Sequence, residues 1–250
     1  MHRFEDKVAI VTGAAQGIGA SYAHALAAEG ASVVVADLNR TAGETVVKEI
    51  TGGGGTAEFV EVDVSDPDST ANMAERAVES FGGIDYLVNN AAIYGDMQLD
   101  LLLTVDWAYY KKFMSVNFDG ALLCTRAVAP YITERGGGAI VNQSSTAAWV
   151  YSGFYGLAKV GINGLTQQLA HELGGSGIRI NALAPGPTDT EATRTVTPGS
   201  IVAQIVEGMP LKRMGSPGDL TGTCLFLLSD DAAWITGQIF NVDGGQIIRS

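Results

Sequence analysis

Tyr155 and Lys159 are the residues of this chain best suited to acid/base chemistry. They lie four positions apart in a segment of helical periodicity, so both would share one helix face, about 40° apart around the axis. A tyrosine with an ordinary pKa of about 10 needs a shift of about three units, or roughly 4 kcal/mol, to act as a base near pH 7. One nearby ammonium supplies about that much. The pair therefore predicts a tyrosine whose pKa is lowered by Lys159. The segment follows a predicted strand ending at Ser144 and Ser145, which would meet it at one sheet edge.

A glycine-rich loop after the first predicted strand could bind a nucleotide. Gly13, Gly17 and Gly19 follow that strand and open a helix, where side chains would keep a pyrophosphate from the backbone N–H groups. The spacing is looser than G-x-G-x-x-G, and a tight turn that binds no ligand is the alternative interpretation.

Asp37 ends the second predicted strand, 18 residues after Gly19. A carboxylate there would accept hydrogen bonds from ribose hydroxyls and repel a 2′-phosphate by about 4 kcal/mol, or roughly a thousandfold in affinity. Gln16 and Leu38 supply no cation, so NAD is expected rather than NADP. Arg40 could swing in, although a solvated position is the other interpretation, and Asp37 could instead cap a helix.

Strands and helices alternate along the chain. Short β-branched runs are separated by longer segments with helical periodicity, and the runs are almost continuously apolar, as in strands covered on both faces. This pattern predicts an α/β fold with a doubly wound parallel sheet and a single domain over 1–250. The predicted strands are 7–12, 32–37, 57–64, 84–90, 138–145, 178–185 and 238–242.

Composition excludes several classes of function. The net charge is −12 and no Lys/Arg run occurs, so nucleic acid is not expected as a partner. No apolar stretch reaches about 18 residues, so no membrane association is expected, and the interpretation is a soluble cytoplasmic protein. Cys124 and Cys224 are expected to be buried thiols. His2, His24 and His171 are isolated, which leaves no metal site and no Ser/His/Asp triad.

Taken together, the motifs resemble the classical short-chain dehydrogenase/reductase family. The resemblance runs nearly end to end and implies a single-domain Rossmann fold with seven parallel strands and helices on both faces. The matching motifs are "TGAAQGIG", Asp37, "DV" at 63–64, "NNAA" at 89–92, Asn117 in "VNFDG", Ser145, "YGLAK", "NALAPGPTDT" and "ITGQIFNVDGG".

The resemblance also implies roles for individual residues. Tyr155 would be the general acid/base, Ser145 would bond the reacting oxygen, Lys159 would bind nicotinamide ribose and lower the tyrosine's pKa, and Asn117 would hold a water linking Lys159 to solvent. The loop and the resemblance together assign to the cofactor Gly13, Gln16, Gly17, Ile18, Gly19, Asp37, Leu38, Asp63, Val64, Asn90, Ala91, Tyr155, Lys159, Pro185, Gly186, Thr188 and Thr190.

Two departures from the family pattern affect the site. Ala92 stands where the family usually has glycine, and the ten-residue interval from Ser145 to Tyr155 is shorter than usual. Ser144 therefore stays open as an alternative to Ser145. The shortened loop would bring aromatic residues near Tyr155, either to line the pocket or only to pack against the core or a neighbouring subunit. These aromatic residues are Trp149, Tyr151 and Phe154. Together with Tyr94 and with 191–212 as a substrate-binding lid, they lead to the expectation of an apolar or ring-bearing substrate.

The leading hypothesis is an NAD-dependent oxidoreductase that interconverts a secondary alcohol and a ketone. Reduction of a 3-oxoacyl thioester on an acyl carrier is an alternative, which Asp37 and the lack of a basic docking patch disfavour. A methyltransferase using S-adenosylmethionine and a non-catalytic NAD-binding sensor are alternatives from other classes, and neither gives Ser145, Tyr155 and Lys159 a role. The resemblance further implies a homotetramer formed through helices at about 104–133 and 153–174 and through the C-terminal segment.

Overall fold

The computed structural model describes residues 3–95, 97–98 and 100–249, so the isolated His2 lies outside the described part. Within this part the chain forms a parallel sheet of seven strands in the order β3-β2-β1-β4-β5-β6-β7. This confirms the predicted α/β, doubly wound fold. The strands are β1 (Val8–Thr12), β2 (Ser32–Asp37), β3 (Thr56–Glu61), β4 (Tyr86–Asn89), β5 (Gly138–Gln143), β6 (Ile178–Pro185) and β7 (Ile239–Val242).

Helices cover both faces of the sheet. Along β2, Val33 and Val35 join one buried cluster while Val34 and Ala36 join the other, because successive strand side chains point to opposite faces. The first cluster packs under α1 (Gly17–Ala28), α2 (Arg40–Gly52) and α9 (Pro217–Leu228), and the second under α3 (Pro67–Phe81), α5 (Gly120–Glu134) and α6 (Gly153–Leu173). Cys124 and Cys224 are buried and unpaired in these clusters.

The remaining helices lie near the carboxyl edge of the sheet. The helix α4 (Trp107–Met114) continues through a π-helical turn, Ser115–Asp119, into α5. Two short helices, α7 (Glu191–Val196) and α8 (Gly199–Gly208), follow β6 within the predicted lid. Across the described residues, no helix combines the length and apolarity needed to span a bilayer.

The strand order places a crevice at the centre of the sheet. β1 pairs with β2 on one side and with β4 on the other. The chain leaves β1 toward β2 and leaves β4 toward β5, in opposite directions, so a space opens at the carboxyl ends of β1 and β4. Most strand boundaries differ from the sequence expectation by no more than two residues, and the largest difference is at the end of β3. β3 ends at Glu61 rather than at position 64, which leaves Asp63 and Val64 in the loop that borders the crevice.

Candidate active site

A cavity of about 1020 Å³ fills this crevice and continues beneath the lid. It is large enough for a dinucleotide fragment together with a small substrate. Of the residues assigned to the site from sequence, Gly19 and Asn117 do not line it. Those that do are Gly13, Gln16, Gly17, Ile18, Asp37, Leu38, Asp63, Val64, Asn90, Ala91, Ser145, Tyr155, Lys159, Pro185, Gly186, Thr188 and Thr190.

The glycine loop presents backbone to the cavity. Gly13 and Gly17 have φ angles of +64° and +57°, in the left-handed region that L side chains rarely adopt. A Cβ on Gly13 would lie 2.7 Å from Cα of Ala91. Helix α1 begins at Gly17, and its N-cap residue, Gln16, makes no side-chain cap hydrogen bond. An uncapped helix N-terminus facing a cavity fits the pyrophosphate of a dinucleotide.

Gly19 supports the loop from behind. A Cβ there would lie 2.1 Å from the carbonyl oxygen of Gly13 and 2.6 Å from Nδ2 of Asn90. The Asn90 amide is itself held, because Nδ2 donates to the carbonyl oxygens of Thr12 and Gly13, both at 3.0 Å. Neither neighbour can move without breaking the loop.

Gly19→Ala should therefore destabilise the protein by about 1–3 kcal/mol, the usual cost of overpacking, and should also weaken nucleotide binding. Thermal unfolding and NADH titration would measure both. Gly222→Ala in α9 is the matched control, since a Cβ on Gly222 meets nothing within 4 Å. That variant should keep or gain stability. An unchanged melting temperature for Gly19→Ala would contradict this account of the loop.

Asp37 faces the cavity at the end of β2. Oδ2 accepts from the N–H of Ala15 at 2.9 Å and Oδ1 from the N–H of Asn39 at 2.9 Å. Asn39, not Asp37, caps α2, since its side chain accepts from Ala42 N, so the helix-cap alternative for Asp37 is wrong. Each carboxylate oxygen has further acceptor capacity for a hydroxyl group.

Arg40 is turned away from Asp37. Its guanidinium pairs with Glu61 at 2.9 Å and Glu44 at 3.5 Å and lies over the ring of Phe59. The structure thus has Arg40 in a surface ion-pair cluster rather than beside the Asp37 carboxylate.

The remaining loops that border this half of the cavity are held by short-range hydrogen bonds. Asp63 Oδ1 accepts from the N–H and hydroxyl of Ser65 at 2.9 and 2.6 Å. Thr188 donates to the Gly186 carbonyl at 3.1 Å, and Thr190 caps α7 by accepting from Thr193 N at 3.1 Å. Thr190 therefore serves as an ordinary helix cap while also lining the cavity.

Tyr155 and Ser145 face each other across the second half of the cavity. Burial raises the pKa of Tyr155 well above its usual value, the negative charge that Tyr94 can carry raises it further, and a hydrogen bond with Ser145 acts in the opposite direction. The ring of Tyr94 lies 5.3 Å from that of Tyr155.

The prediction that Lys159 lowers this pKa is therefore wrong. Lys159 is 4% exposed, its Nζ lies 5.7 Å from the ring centroid of Tyr155, and it donates to the carbonyl oxygen of Gln143 at 2.8 Å. Burial lowers the pKa of Lys159 to about 8. Burial disfavours the charged form of each group, which raises the pKa of the phenol and lowers that of the amine.

Asn117 occupies the π-helical turn and bonds to the loop after β4. Its Oδ1 accepts from Ile93 N at 2.7 Å and its Nδ2 donates to Ile93 O at 3.1 Å. A separate cavity of about 10 Å³ is lined by both Asn117 and Lys159. That is about the space of one water molecule, and it lies where the sequence argument places a linking water.

The two serines after β5 point in different directions. Ser144 is 2% exposed and donates to Oδ1 of Asn163 at 2.6 Å. Ser145 begins a 3₁₀ turn, Thr146–Ala148, where its Oγ accepts from Ala147 N at 3.1 Å. The compact turn takes up the shortened interval to Tyr155. The geometry favours Ser145 over Ser144 as the partner of Tyr155.

The aromatic residues near Tyr155 divide into two groups. Phe154 and the exposed Tyr151 line the cavity, and Phe154 packs edge-on against Phe113 at 4.7 Å. Trp149 does not line it. Its ring is covered by the guanidinium of Arg249 at 4.0 Å, so the expectation that Trp149 lines the pocket is wrong.

Several cavity residues were not anticipated from the sequence. Tyr109, Lys112 and Val116 line the substrate side at a spacing of three and four, typical of one helix face. Gln246, just beyond the final glycine pair, also lines the cavity, and no motif marks it. The lid contributes mostly apolar groups, among them Val196, Ile201, Val202 and Ile205.

Comparison with known proteins agrees with this geometry. Residues 13–246 match the family model described as enoyl-(acyl carrier protein) reductase. The chain belongs to the classical short-chain dehydrogenase/reductase family and is an oxidoreductase of that type.

Particular relatives are similar over almost their whole length. An uncharacterized oxidoreductase of Mycobacterium tuberculosis is 73% identical over 99% of this chain and 100% of its own. The 3-oxoacyl-[acyl-carrier-protein] reductase FabG of Thermotoga maritima is 36% identical over 98% and 100%. A solved 7α-hydroxysteroid dehydrogenase, complexed with NADH and 7-oxo glycochenodeoxycholic acid, is 34% identical over 99% and 97%, with a TM-score of 0.93.

Proposed function

We propose that the protein is an NAD-dependent oxidoreductase that interconverts a secondary alcohol and a ketone. The observation that carries the proposal is that Tyr155 and Ser145 both line the cavity that starts at the glycine loop, with Lys159 buried on the same helix face as Tyr155. One cavity thus contains Tyr155 as the group that transfers the proton, Ser145 as the hydrogen-bond donor to the reacting oxygen, and the glycine loop that would bind the nucleotide.

The chemistry follows from these positions. In oxidation, Tyr155 must first be ionised, and its phenolate oxygen then takes the hydroxyl proton of the alcohol while Ser145 donates to the reacting oxygen as it becomes a carbonyl. A nicotinamide cofactor bound in the cavity supplies the hydride acceptor. In reduction, the protonated Tyr155 returns its proton to the oxygen of the ketone. Lys159, protonated at neutral pH since its pKa is about 8, stabilises the phenolate left on Tyr155.

The preference for NAD is inferred from Asp37 and Arg40. The carboxylate can accept from ribose hydroxyls and would repel a 2′-phosphate, while the nearest cation is held by Glu61. The NADH named with the solved hydroxysteroid dehydrogenase supports the same choice.

The substrate is proposed to be apolar or cyclic. The far side of the cavity is formed by Tyr94, Tyr109, Phe154 and the apolar lid residues. Such a wall suits a ring system better than a charged chain. The 7-oxo bile acid bound to the structural relative is one example of a ring-bearing ketone.

Reduction of a 3-oxoacyl thioester is the second candidate. It is favoured by the FabG relative, which is a 3-oxoacyl-[acyl-carrier-protein] reductase. A non-catalytic NAD-binding sensor is a third possibility, which leaves the contact between Tyr155 and Ser145 without a purpose.

One assay separates these candidates. Absorbance of NADH and NADPH at fixed concentration would be followed with cyclic ketones, aliphatic ketones and a 3-oxoacyl thioester. We expect the fastest oxidation of NADH with a cyclic ketone. Turnover of the thioester alone would favour the second candidate, and NADH binding without turnover of any member would favour the sensor.

Self-association as a homotetramer is proposed for the same protein. Leu157 and Val160, three residues apart on α6, are 44% and 50% exposed, and Trp107 on α4 is 66% exposed. Apolar groups at these positions would be covered by neighbouring subunits. Light scattering should give four times the chain mass of 26.0 kDa, and Leu157→Asp with Val160→Asp should lower it. A monomeric mass for the parent would contradict the proposal.

A further inference from the structure

Helix α6 is joined to the end of β5 by a row of polar contacts. Lys159 Nζ donates to Gln143 O at 2.8 Å, Ser144 Oγ donates to Asn163 Oδ1 at 2.6 Å, and Ser145 lines the same cavity as Tyr155. Three consecutive strand-end residues thus meet helix residues that are spaced four apart. That spacing puts Tyr155, Lys159 and Asn163 on one face of α6.

Of these contacts, the hydrogen bond between Ser144 and Asn163 is the one whose residues have no role in the proposed reaction. Ser144 is rigidly placed, because its backbone N–H donates to Leu183 O on β6 at 2.8 Å and its side chain is 2% exposed. Its hydroxyl has one other acceptor, the Lys159 carbonyl at 3.5 Å, which is at the limit of a hydrogen bond. Asn163 therefore provides the principal link between Ser144 and the helix.

This link adjoins both reacting side chains. Ser144 immediately precedes Ser145, and Asn163 lies two turns beyond Tyr155 on the same face of α6. A shift of the strand end relative to the helix would change the separation of Ser145 and Tyr155, because each is fixed to its own element. One further hydrogen bond joins the same strand and helix farther from the cavity, where Asn142 Nδ2 donates to Thr166 Oγ1 at 3.0 Å.

We propose that Asn163, acting through the hydroxyl of Ser144, is a positioning residue that sets the distance between Ser145 and Tyr155. The inference rests on the proposed alcohol–ketone function. It predicts that loss of the Asn163 acceptor slows the chemical step and leaves nucleotide binding intact, because the glycine loop and Asp37 lie on other elements.

The test compares Asn163→Leu, which removes the acceptor, with Asn163→Asp, which keeps an oxygen at the same position. Thr166→Val is the matched control, since it removes the buried hydrogen bond from Asn142, which joins the same strand and helix farther from the cavity. The readouts are kcat and KM with the best ketone, the NADH dissociation constant from fluorescence, and the isotope effect on kcat with deuterated NADH. Circular dichroism and thermal unfolding check that each variant is folded.

We expect Asn163→Leu to lower kcat about tenfold or more, the range in which small misplacements act, with KM and NADH affinity nearly unchanged. Its isotope effect should rise, because hydride transfer becomes more rate-limiting. Asn163→Asp should recover most of kcat, and Thr166→Val should lose stability without these changes.

A second variant keeps the test decisive if Asn163→Leu folds poorly. Ser144→Ala with Asn163→Leu removes both partners and leaves no unpaired hydroxyl, so its stability should improve over the single variant while kcat stays low. Parent-like kcat and isotope effect in a folded Asn163→Leu or double variant would overturn the positioning role alone, as would an equal loss in Thr166→Val. A parent that reduces no ketone would overturn the proposed function and this role with it.

Discussion

Replacing Tyr155 with phenylalanine should lower kcat for ketone reduction by roughly 10²- to 10⁴-fold, the usual contribution of a positioned acid/base group. The phenylalanine ring fills the same space against Phe113 and Tyr94, so the cavity keeps its shape. Only the phenolic oxygen is lost, and with it the proton that the reduced substrate needs. Steady-state rates with the best ketone and NADH would measure the effect.

The raised pKa of Tyr155 explains why the loss should be large. Burial keeps the phenol protonated at neutral pH, so in reduction it is ready to donate. The phenolate that forms is then stabilised by the Lys159 ammonium, which retains its proton below a pKa of about 8.

Tyr110→Phe is the control for Tyr155→Phe. Tyr110 also packs against Phe154, at 6.5 Å between ring centroids, but it does not line the cavity. Its variant should keep the parent rate. Tyr110→Phe should also bind NADH as the parent does, since Tyr110 lies outside the cavity. Parent-like turnover by Tyr155→Phe would show that another group carries the proton.

The fold could be predicted because its signals are local. Each strand is a short β-branched run, and the seven predicted runs overlap the seven observed strands. The error at β3 is also local in origin, since Val62 and Val64 continue the apolar alternation after the last ladder pair, Asp37 with Glu61. Apolar pattern alone does not mark where hydrogen-bonded pairing stops.

The parts of the site that escaped prediction depend on contacts between distant segments. Trp149 is covered by Arg249, a hundred residues later, so no spacing rule places it outside the cavity. The raised pKa of Tyr155 depends on how completely its surroundings enclose it, which the four-residue spacing to Lys159 does not encode. Asn163 belongs to no motif, and its importance is visible only through the buried hydroxyl of Ser144.

Substituting Asp37 with serine should shift the cofactor preference toward NADP, measured as the ratio of kcat/KM with NADPH to that with NADH. One unit charge facing a phosphate at about 4 Å and an effective dielectric of about 20 costs on the order of 4 kcal/mol, so the ratio should rise by up to roughly a thousandfold. Part of the rise comes from weaker NADH binding, because serine offers ribose hydroxyls fewer acceptors. Low salt should enlarge the change.

The effect of Asp37→Ser must be separated from damage to the loop it holds. Asp37 also accepts from the N–H groups of Ala15 and Asn39, so its loss could loosen the glycine loop and weaken both cofactors alike. Because a loosened loop lowers kcat/KM with NADPH and with NADH alike, the ratio of the two is unaffected by it. The ratio therefore reports only the lost charge repulsion and the lost hydrogen bonds to the ribose hydroxyls. Asp68→Asn, which removes an exposed carboxylate of α3 outside the cavity, should leave the ratio unchanged.

The ion pairs of Arg40 limit how far the cofactor preference can shift toward NADP. Glu61→Gln alone should change the ratio little, because Asp37 still repels a 2′-phosphate even when Arg40 is partly released. Combined with Asp37→Ser, the same change should raise the ratio beyond that of the single variant, since a freed guanidinium can pair with the phosphate. If Glu61→Gln alone produced most of the switch, cofactor choice would depend on the confinement of Arg40 and not on the Asp37 carboxylate.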